Sequence, residues 1–377
     1  MNVRRDPPEV LLDLRIVRER LTGVGRYLLR VFEELQSTGG ADLRVTGLIR
    51  ADQQRPVSGP TRALPGTAGR TAPLDLAQWW RLPRALRGDP YALFHYTYFD
   101  LPPIARTRPI VATCYDLEPL RHPDLFPRRL VWYSRLFARA LRRADRVVTI
   151  SHATAGDVAA LAGVPADRIV VTHLGVDAGF RPMPAEEMAR VRALYALPER
   201  FVCYVGNTMP HKNLERAVEV MARVQRGCGR VPFVIAGAPD RYRPSVAAAA
   251  ARSGLGEGVR FIGKVPDADL PGLLSAAAVF LYPSLYEGFG LPVLEALACG
   301  CPVVTSNRAS LPEVVGDAAR VCDPLDVGAL ADAVASLLTD AGAAAALRRA
   351  GPVRAAAFTW TRCAARHRDL YLELLRR

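Results

Sequence analysis

Short apolar runs recur along the chain, each followed by a stretch whose apolar positions return every three or four residues. The first run, Val10–Leu14, reads as a strand; residues 15–25 read as a loop and Arg26–Gln36 as an amphipathic helix. The same alternation predicts strands at Leu43–Ile49, Ala92–Tyr96, Pro109–Thr113, Arg146–Ser151 and Arg168–Thr172. Helices are expected at Leu76–Leu86, which carries Trp79 and Trp80, at Arg128–Arg143 and at His152–Leu161. Ala51–Asp75, rich in Pro, Gly, Thr and Arg, reads as a long loop. Gly179–Pro198, with several prolines and a short charged helix, suits a connector between domains. Beyond it, strands are predicted at Phe201–Val205, Phe233–Ala236, Val259–Ile262, Val279–Tyr282, Pro302–Thr305 and Ala319–Cys322, alternating with helices such as Pro266–Ala277 and Leu291–Cys299. Uniformly apolar strands joined by helical crossovers are covered on both faces, so the fold class is α/β with doubly wound parallel sheets. At 377 residues, 50% of them hydrophobic, the chain is long enough for two such cores.

Candidate chemistry gathers where strands hand over to helices. After Val279–Tyr282 comes a loop with Glu287, Gly288, Phe289 and Gly290, then Leu291 and Pro292 open a helix that contains Glu295. Glycines let backbone amides approach a ligand, and a helix start favours an anion there. Two carboxylates eight residues apart flank those glycines. The arrangement suits a sugar nucleotide, with amides for the diphosphate and carboxylates for hydroxyls. After Phe201–Val205 the chain reads Asn207-Thr208-Met209-Pro210-His211-Lys212-Asn213, then a helix. A cation at a helix start opposes the dipole unless it serves an anion, which points to Lys212 as a diphosphate ligand. Thr22-Gly23-Val24-Gly25 lies at the first strand-to-helix handover. It is not a dinucleotide fingerprint, since Leu28 stands where the third glycine would fall.

Charge and cysteines alter this picture little. A formal charge of +13 suits a nucleotide diphosphate, an anionic bilayer or nucleic acid, and no nucleic-acid recognition motif accompanies it. Only two lysines occur, Lys212 and Lys264, so each asks for a reason in a chain otherwise furnished with arginine. Seven cysteines without framework spacing predict a reducing, cytoplasmic setting. Cys299 and Cys301 read as small core residues, and no metal triad of carboxylates or histidines is evident. Arg128–Arg143 is basic and amphipathic, which raises peripheral contact with a membrane face. His95 and Tyr96 end a strand as part of an aromatic cluster with Tyr98 and Phe99, placed either to stack on an acceptor sugar or to close the core.

The run Glu287-Gly-Phe-Gly-Leu-Pro-Val-Leu-Glu295-Ala resembles the Glu-x7-Glu signature of retaining GT-B glycosyltransferases of family 4, mannosyltransferase-like members of glycosyl transferases group 1. Asp13-Leu14-Arg15 with Thr-Gly-Val-Gly-Arg-Tyr is similar to the opening of many members. The resemblance implies two Rossmann-like domains facing a cleft: residues 1–180 for the acceptor, 181–357 for the donor, and a helix over 358–377 crossing back to the first. It further implies a donor site of Gly23, Gly25, Asn207, His211, Lys212, Val265, Glu287, Gly288, Phe289, Gly290, Leu291 and Glu295. Glu287 and Lys212 would be catalytic, and main chain near Val265 would read the nucleobase. His95, Tyr96, Tyr115 and Asp116 would lie on the acceptor side. Tyr115 stands where the family usually has His, and His211 where it commonly has Arg, so both positions depart from the pattern.

The implied activity is hexosyl transfer from a nucleotide-diphosphate sugar to a hydroxyl of a glycan, lipid-linked or natural-product acceptor, with retention and without metal or other cofactor. Two other readings stand beside it: a catalytically silent scaffold of the same fold, and another GT-B enzyme such as a sugar-nucleotide epimerase.

Overall fold

The computed structural model describes residues 7–17, 22–38, 42–53, 57–64, 82, 84, 86, 91–97 and 109–376. They divide into two compact units, Met1–Gly175 with Thr359–Arg377, and Val176–Phe358.

The first unit holds a parallel sheet of β1 (Glu9–Asp13), β2 (Arg44–Arg50), β3 (Thr61–Leu64), β4 (Leu93–Tyr96), β5 (Ile110–Cys114), β6 (Arg146–Thr149) and β7 (Ile169–Val171). Their spatial order is β3-β2-β1-β4-β5-β6-β7. The strand β3 falls inside the stretch expected to be a loop. It is an edge strand that pairs with β2 from Gly47↔Thr61 to Arg50↔Leu64. Backbone pairing and a long ion pair from Arg62 to Glu9 (3.4 Å) hold it, and Thr61 and Ala63 stay exposed, so no apolar pattern marks it. Residues 76–81, including Trp79 and Trp80, lie outside the described residues, as do Tyr98 and Phe99.

The first helix runs over Gly23–Thr38, three residues earlier than its apolar period predicts. Thr22 starts it: its Oγ1 accepts from the Gly25 amide at 3.2 Å and its carbonyl from Arg26 at 2.9 Å. The glycines therefore sit in the first helical turn rather than in a free loop. The Trp360–Leu375 helix belongs to this unit and packs on Gly23–Thr38. A fully buried polar chain joins it to the sheet. Tyr27 Oη lies 2.8 Å from His367 Nε2, Tyr371 Oη lies 2.5 Å from His95 Nδ1, and His95 Nε2 lies 2.8 Å from Thr113 Oγ1.

The second unit holds β8 (Val202–Val205), β9 (Phe233–Ala236), β10 (Val259–Gly263), β11 (Val279–Tyr282), β12 (Val303–Ser306) and β13 (Arg320–Cys322). Their order is β10-β9-β8-β11-β12-β13, all parallel. Chain direction across the sheet reverses between β8 and β11. Such a switch point leaves a crevice outside the carboxyl ends of the two strands, where open α/β sheets bind ligands. No single helix among the described residues is long and apolar enough to cross a membrane.

Candidate active site

The loops leaving β8 and β11 meet at this switch point because three backbone carbonyls hold them there. After β8 the chain makes a tight turn at Pro210–Lys212, then Asn213 takes the left-handed conformation (φ 60°, ψ 33°) before the Leu214–Cys228 helix. Asparagine tolerates that conformation better than most side-chain-bearing residues. Its side-chain amide donates to the carbonyls of Pro283 (3.0 Å) and Pro324 (2.9 Å), and the Leu285 amide donates to the His211 carbonyl at 2.7 Å. The β8 loop is thus fastened to the loops after β11 and β13.

That fastening brings Lys212 Nζ to 2.6 Å from Glu287 Oε1, with both side chains about nine-tenths enclosed. The ammonium also donates to Tyr282 Oη at 3.3 Å and lies 5.7 Å from that ring's centre. Tyr282 is held flat by Tyr204, stacked at 5.3 Å and 14°. Burial works against the Glu287 carboxylate, yet the charge and hydrogen bond of Lys212, followed by His211, outweigh it and leave its pKa below the ordinary value. Glu287 is therefore ionised at neutral pH. Burial, and then the Glu287 charge, push the Tyr282 phenol well above its usual range, so it stays protonated.

The glycine loop is fixed from below. Ser310 Oγ lies 2.9 Å from the Glu287 carbonyl and 2.8 Å from that of Phe289, donating its one proton between them. Gly290 has φ +101°, and a Cβ there would come within 2.7 Å of Leu311 Cδ2. The Leu291–Ala298 helix follows. Pro292 has no N–H, and the Val293 and Leu294 amides turn to the Gly290 carbonyl (2.9 and 3.2 Å), so amide contacts to a ligand come from residues before Pro292. Gly290→Ala should lower stability by about 2 kcal/mol through strain and crowding, measured by urea unfolding, and should reduce turnover by displacing this loop.

Glu295 is 5% exposed and is the fifth residue of its helix, beyond the first turn where the dipole is strongest. It is a buried carboxylate rather than a surface charge at a helix start. Asn207 is exposed, and its carbonyl accepts from Tyr204 Oη at 2.7 Å. His211 is buried beside the ion pair. Val265 is buried just past β10, whereas Lys264 is exposed.

Gly23, Gly25, His95, Tyr96, Tyr115 and Asp116 belong to the first unit. Among these the acceptor-side expectation needs correcting for His95, Tyr96 and Tyr115. His95 and Tyr96 are fully buried, and both ring nitrogens of His95 are engaged, so they close the core rather than face a sugar. Tyr115 is 3% exposed and its phenol donates to the Thr97 carbonyl at 3.1 Å. Asp116 Oδ1 accepts from the Glu118 amide at 3.2 Å. A buried ion pair closes the tip of β1: Arg15 grips both Asp13 oxygens at 2.8 and 2.7 Å.

Sequence patterns alone overlooked Asn213, Tyr282 and Ser310. Asn213 had a usable signal, an asparagine directly before a helix in a chain turn; Tyr282 looked only like the end of an apolar strand.

Comparison with known proteins decides the family. Residues 21–180 match Glycosyltransferase Family 4 and residues 189–354 match Glycosyl transferases group 1. The chain belongs to the family 4, group 1 glycosyltransferases. The O-antigen chain mannosyltransferase B of Escherichia coli is 34% identical over 374 residues, covering 92% of this glycosyltransferase and 95% of that protein. In fold, this glycosyltransferase superposes on sucrose-phosphate synthase from Thermosynechococcus elongatus with a TM-score of 0.78 at 22% identity, covering 98% and 99% of the two chains. It also superposes on Anabaena Alr3699/HepE in complex with UDP and glucose (TM-score 0.76, 18% identity, 97% and 100% covered). The fold is GT-B, built of two parallel α/β units, and the activity is that of a nucleotide-sugar glycosyltransferase.

Proposed function

We propose that the chain transfers a mannosyl residue from a nucleotide-diphosphate sugar to a hydroxyl of a growing glycan, with retention at the anomeric carbon and without a divalent metal. The observation that carries this reading is the Lys212–Glu287 pair, which spans the switch point between β8 and β11 beside the Gly290 loop. Mannose is favoured by the name of the Escherichia coli relative, which matches nearly the whole chain. The seven unpaired cysteines support a cytoplasmic setting.

In this reading Lys212 takes up the charge of the departing diphosphate, which replaces the role a metal would play. Asn207, His211 and the loop Gly288–Leu291 line the phosphates, Glu295 holds the ribose, and main chain at Val265 meets the base. Glu287 holds hydroxyls of the transferred sugar. The acceptor oxygen bonds to the anomeric carbon on the face the diphosphate leaves. The carbon–oxygen bond to the diphosphate breaks with its electron pair, and a diphosphate oxygen takes the hydroxyl proton.

The test is release of nucleoside diphosphate from GDP-mannose and, separately, UDP-sugars, with and without glycan acceptor, in the presence of EDTA. Release that rises with acceptor and persists in EDTA is expected, giving a product with the donor's anomeric configuration by NMR. A silent scaffold releases nothing, and an epimerase turns over without acceptor.

A further inference from the structure

The Arg128–Leu141 helix presents two very different faces. Val131, Tyr133, Ser134, Phe137, Ala138 and Leu141 are buried in the first unit. On the opposite side, at about 100° per residue, Arg128, Trp132, Arg135 and Arg139 fall in a stripe about 60° wide. Arg129 and the half-exposed Leu136 border it. Trp132 is 54% exposed, and among the described residues it is the one large hydrophobic side chain of the first unit left so open.

Surface arginines are ordinarily offset by nearby carboxylates, and these are not. Among the described residues, Arg128, Arg129, Arg135 and Arg139 make no ion pair or hydrogen bond. The acidic residues that bracket the helix leave the stripe uncompensated: Asp124 precedes it, and Asp145 accepts from the Ile110 amide at 2.8 Å. Leu125 and Phe126, half-exposed, extend the apolar component at the helix start. A solvated face would need no indole, and four uncompensated cations around one ring complement a continuous anionic surface.

We propose that this stripe is a docking surface for an anionic bilayer, with Trp132 at headgroup depth and the four arginines on lipid phosphates. An indole is apolar in body and polar at its N–H, which suits the interface, and guanidinium forks match phosphate oxygens. Because the inner face stays packed on the sheet, the helix adsorbs flat and does not insert. The contact goes beyond the transfer reaction and needs no sugar, so its failure leaves that reaction untouched.

The experiment is co-sedimentation of the full chain with vesicles of phosphatidylcholine alone and of phosphatidylcholine mixed with phosphatidylglycerol. Binding is expected only to the mixed vesicles, and it should fall away as salt is raised. Arg135→Glu with Arg139→Glu should weaken it by more than about 25-fold, at about fivefold for each positive charge lost and a further loss from each negative charge gained. Trp132→Ser should weaken it by about tenfold, the loss expected for one large apolar side chain leaving its buried position. Arg135→Lys with Arg139→Lys keeps the charge and should keep the binding, which guards against loss of fold in the Glu pair. The proposal is overturned if the parent chain stays unbound with both vesicle types, as it would were the face made for a protein. Equal binding to both vesicles, or variants that bind like the parent, overturns it too.

Discussion

Glu287→Gln is expected to lower acceptor-dependent turnover by about 10²–10³-fold, the usual cost of removing one group aimed at the developing transition state. The substitution is nearly isosteric, and its amide oxygen still accepts from Lys212, so the fold should survive with a modest loss of stability. Its effect on binding should have the opposite sign to its effect on rate. The Lys212 ammonium is held by the Glu287 carboxylate at 2.6 Å, so an incoming diphosphate must compete for it. Neutralising residue 287 frees that cation, and free nucleoside diphosphate should bind as tightly or more tightly. Lys212→Met should do the reverse: it weakens diphosphate binding and leaves a carboxylate enclosed without its partner, destabilising by about 3 kcal/mol. Turnover and calorimetric titration with nucleoside diphosphate on both variants separate the two roles. Near-normal turnover in Glu287→Gln would remove that residue from the chemistry.

The second large effect concerns acid. His367 is fully buried, and burial lowers its pKa to about 4, with the Cys363 carbonyl opposing that only in part. Its Nδ1 lies 2.8 Å from that carbonyl, so Nδ1 carries the proton and Nε2 accepts from Tyr27. His95 is lowered by burial and then by His367, whose ring stacks on it at 5.7 Å. In the unfolded chain both would titrate near 6.5. Their folded values are depressed, so the stability they contribute is intact above the unfolded value and is lost as pH falls from there toward about 4. Below that window's top the unfolded state binds protons the folded state refuses. For His367 alone the full window corresponds to roughly 3 kcal/mol, of which more than half is lost by about pH 5, before most carboxylates titrate. Hydrogen exchange of the Trp360–Leu375 helix amides should accelerate over this interval, while the second unit's strands hold. Exchange there that is flat from neutrality to pH 5 would contradict the assignment, and His367→Gln should lessen the acceleration, leaving the part due to His95.

Strand-to-helix alternation made most of both sheets legible, since Phe233–Ala236 and Val279–Tyr282 are apolar throughout and buried on both faces. The edge strand at Thr61–Leu64 escaped because pairing there uses backbone groups and leaves Thr61 and Ala63 in water. The start of the first helix was misplaced for a related reason: a threonine hydroxyl, not an apolar period, fixes it. At the site, Lys212 and Glu287 were legible because a rare cation and a glycine-flanked carboxylate each stood where a strand gives way to a helix. Their direct bond was not, since it depends on Asn213 holding two loops that are 70 residues apart in sequence. Tyr115 and His95 misled because residue type and position beside a strand end do not reveal which way a side chain turns.

The first unit is not continuous in sequence, and this has a consequence for its biosynthesis. Gly175, whose absent Cβ would stand 2.2 Å from the Trp360 nitrogen, rests against a segment the ribosome makes 185 residues later. Until that segment emerges, the phenol of Tyr27 and the imidazole of His95 face an uncapped groove. The intervening unit, Val176–Phe358, is translated in full before that segment, so the part translated first is completed last.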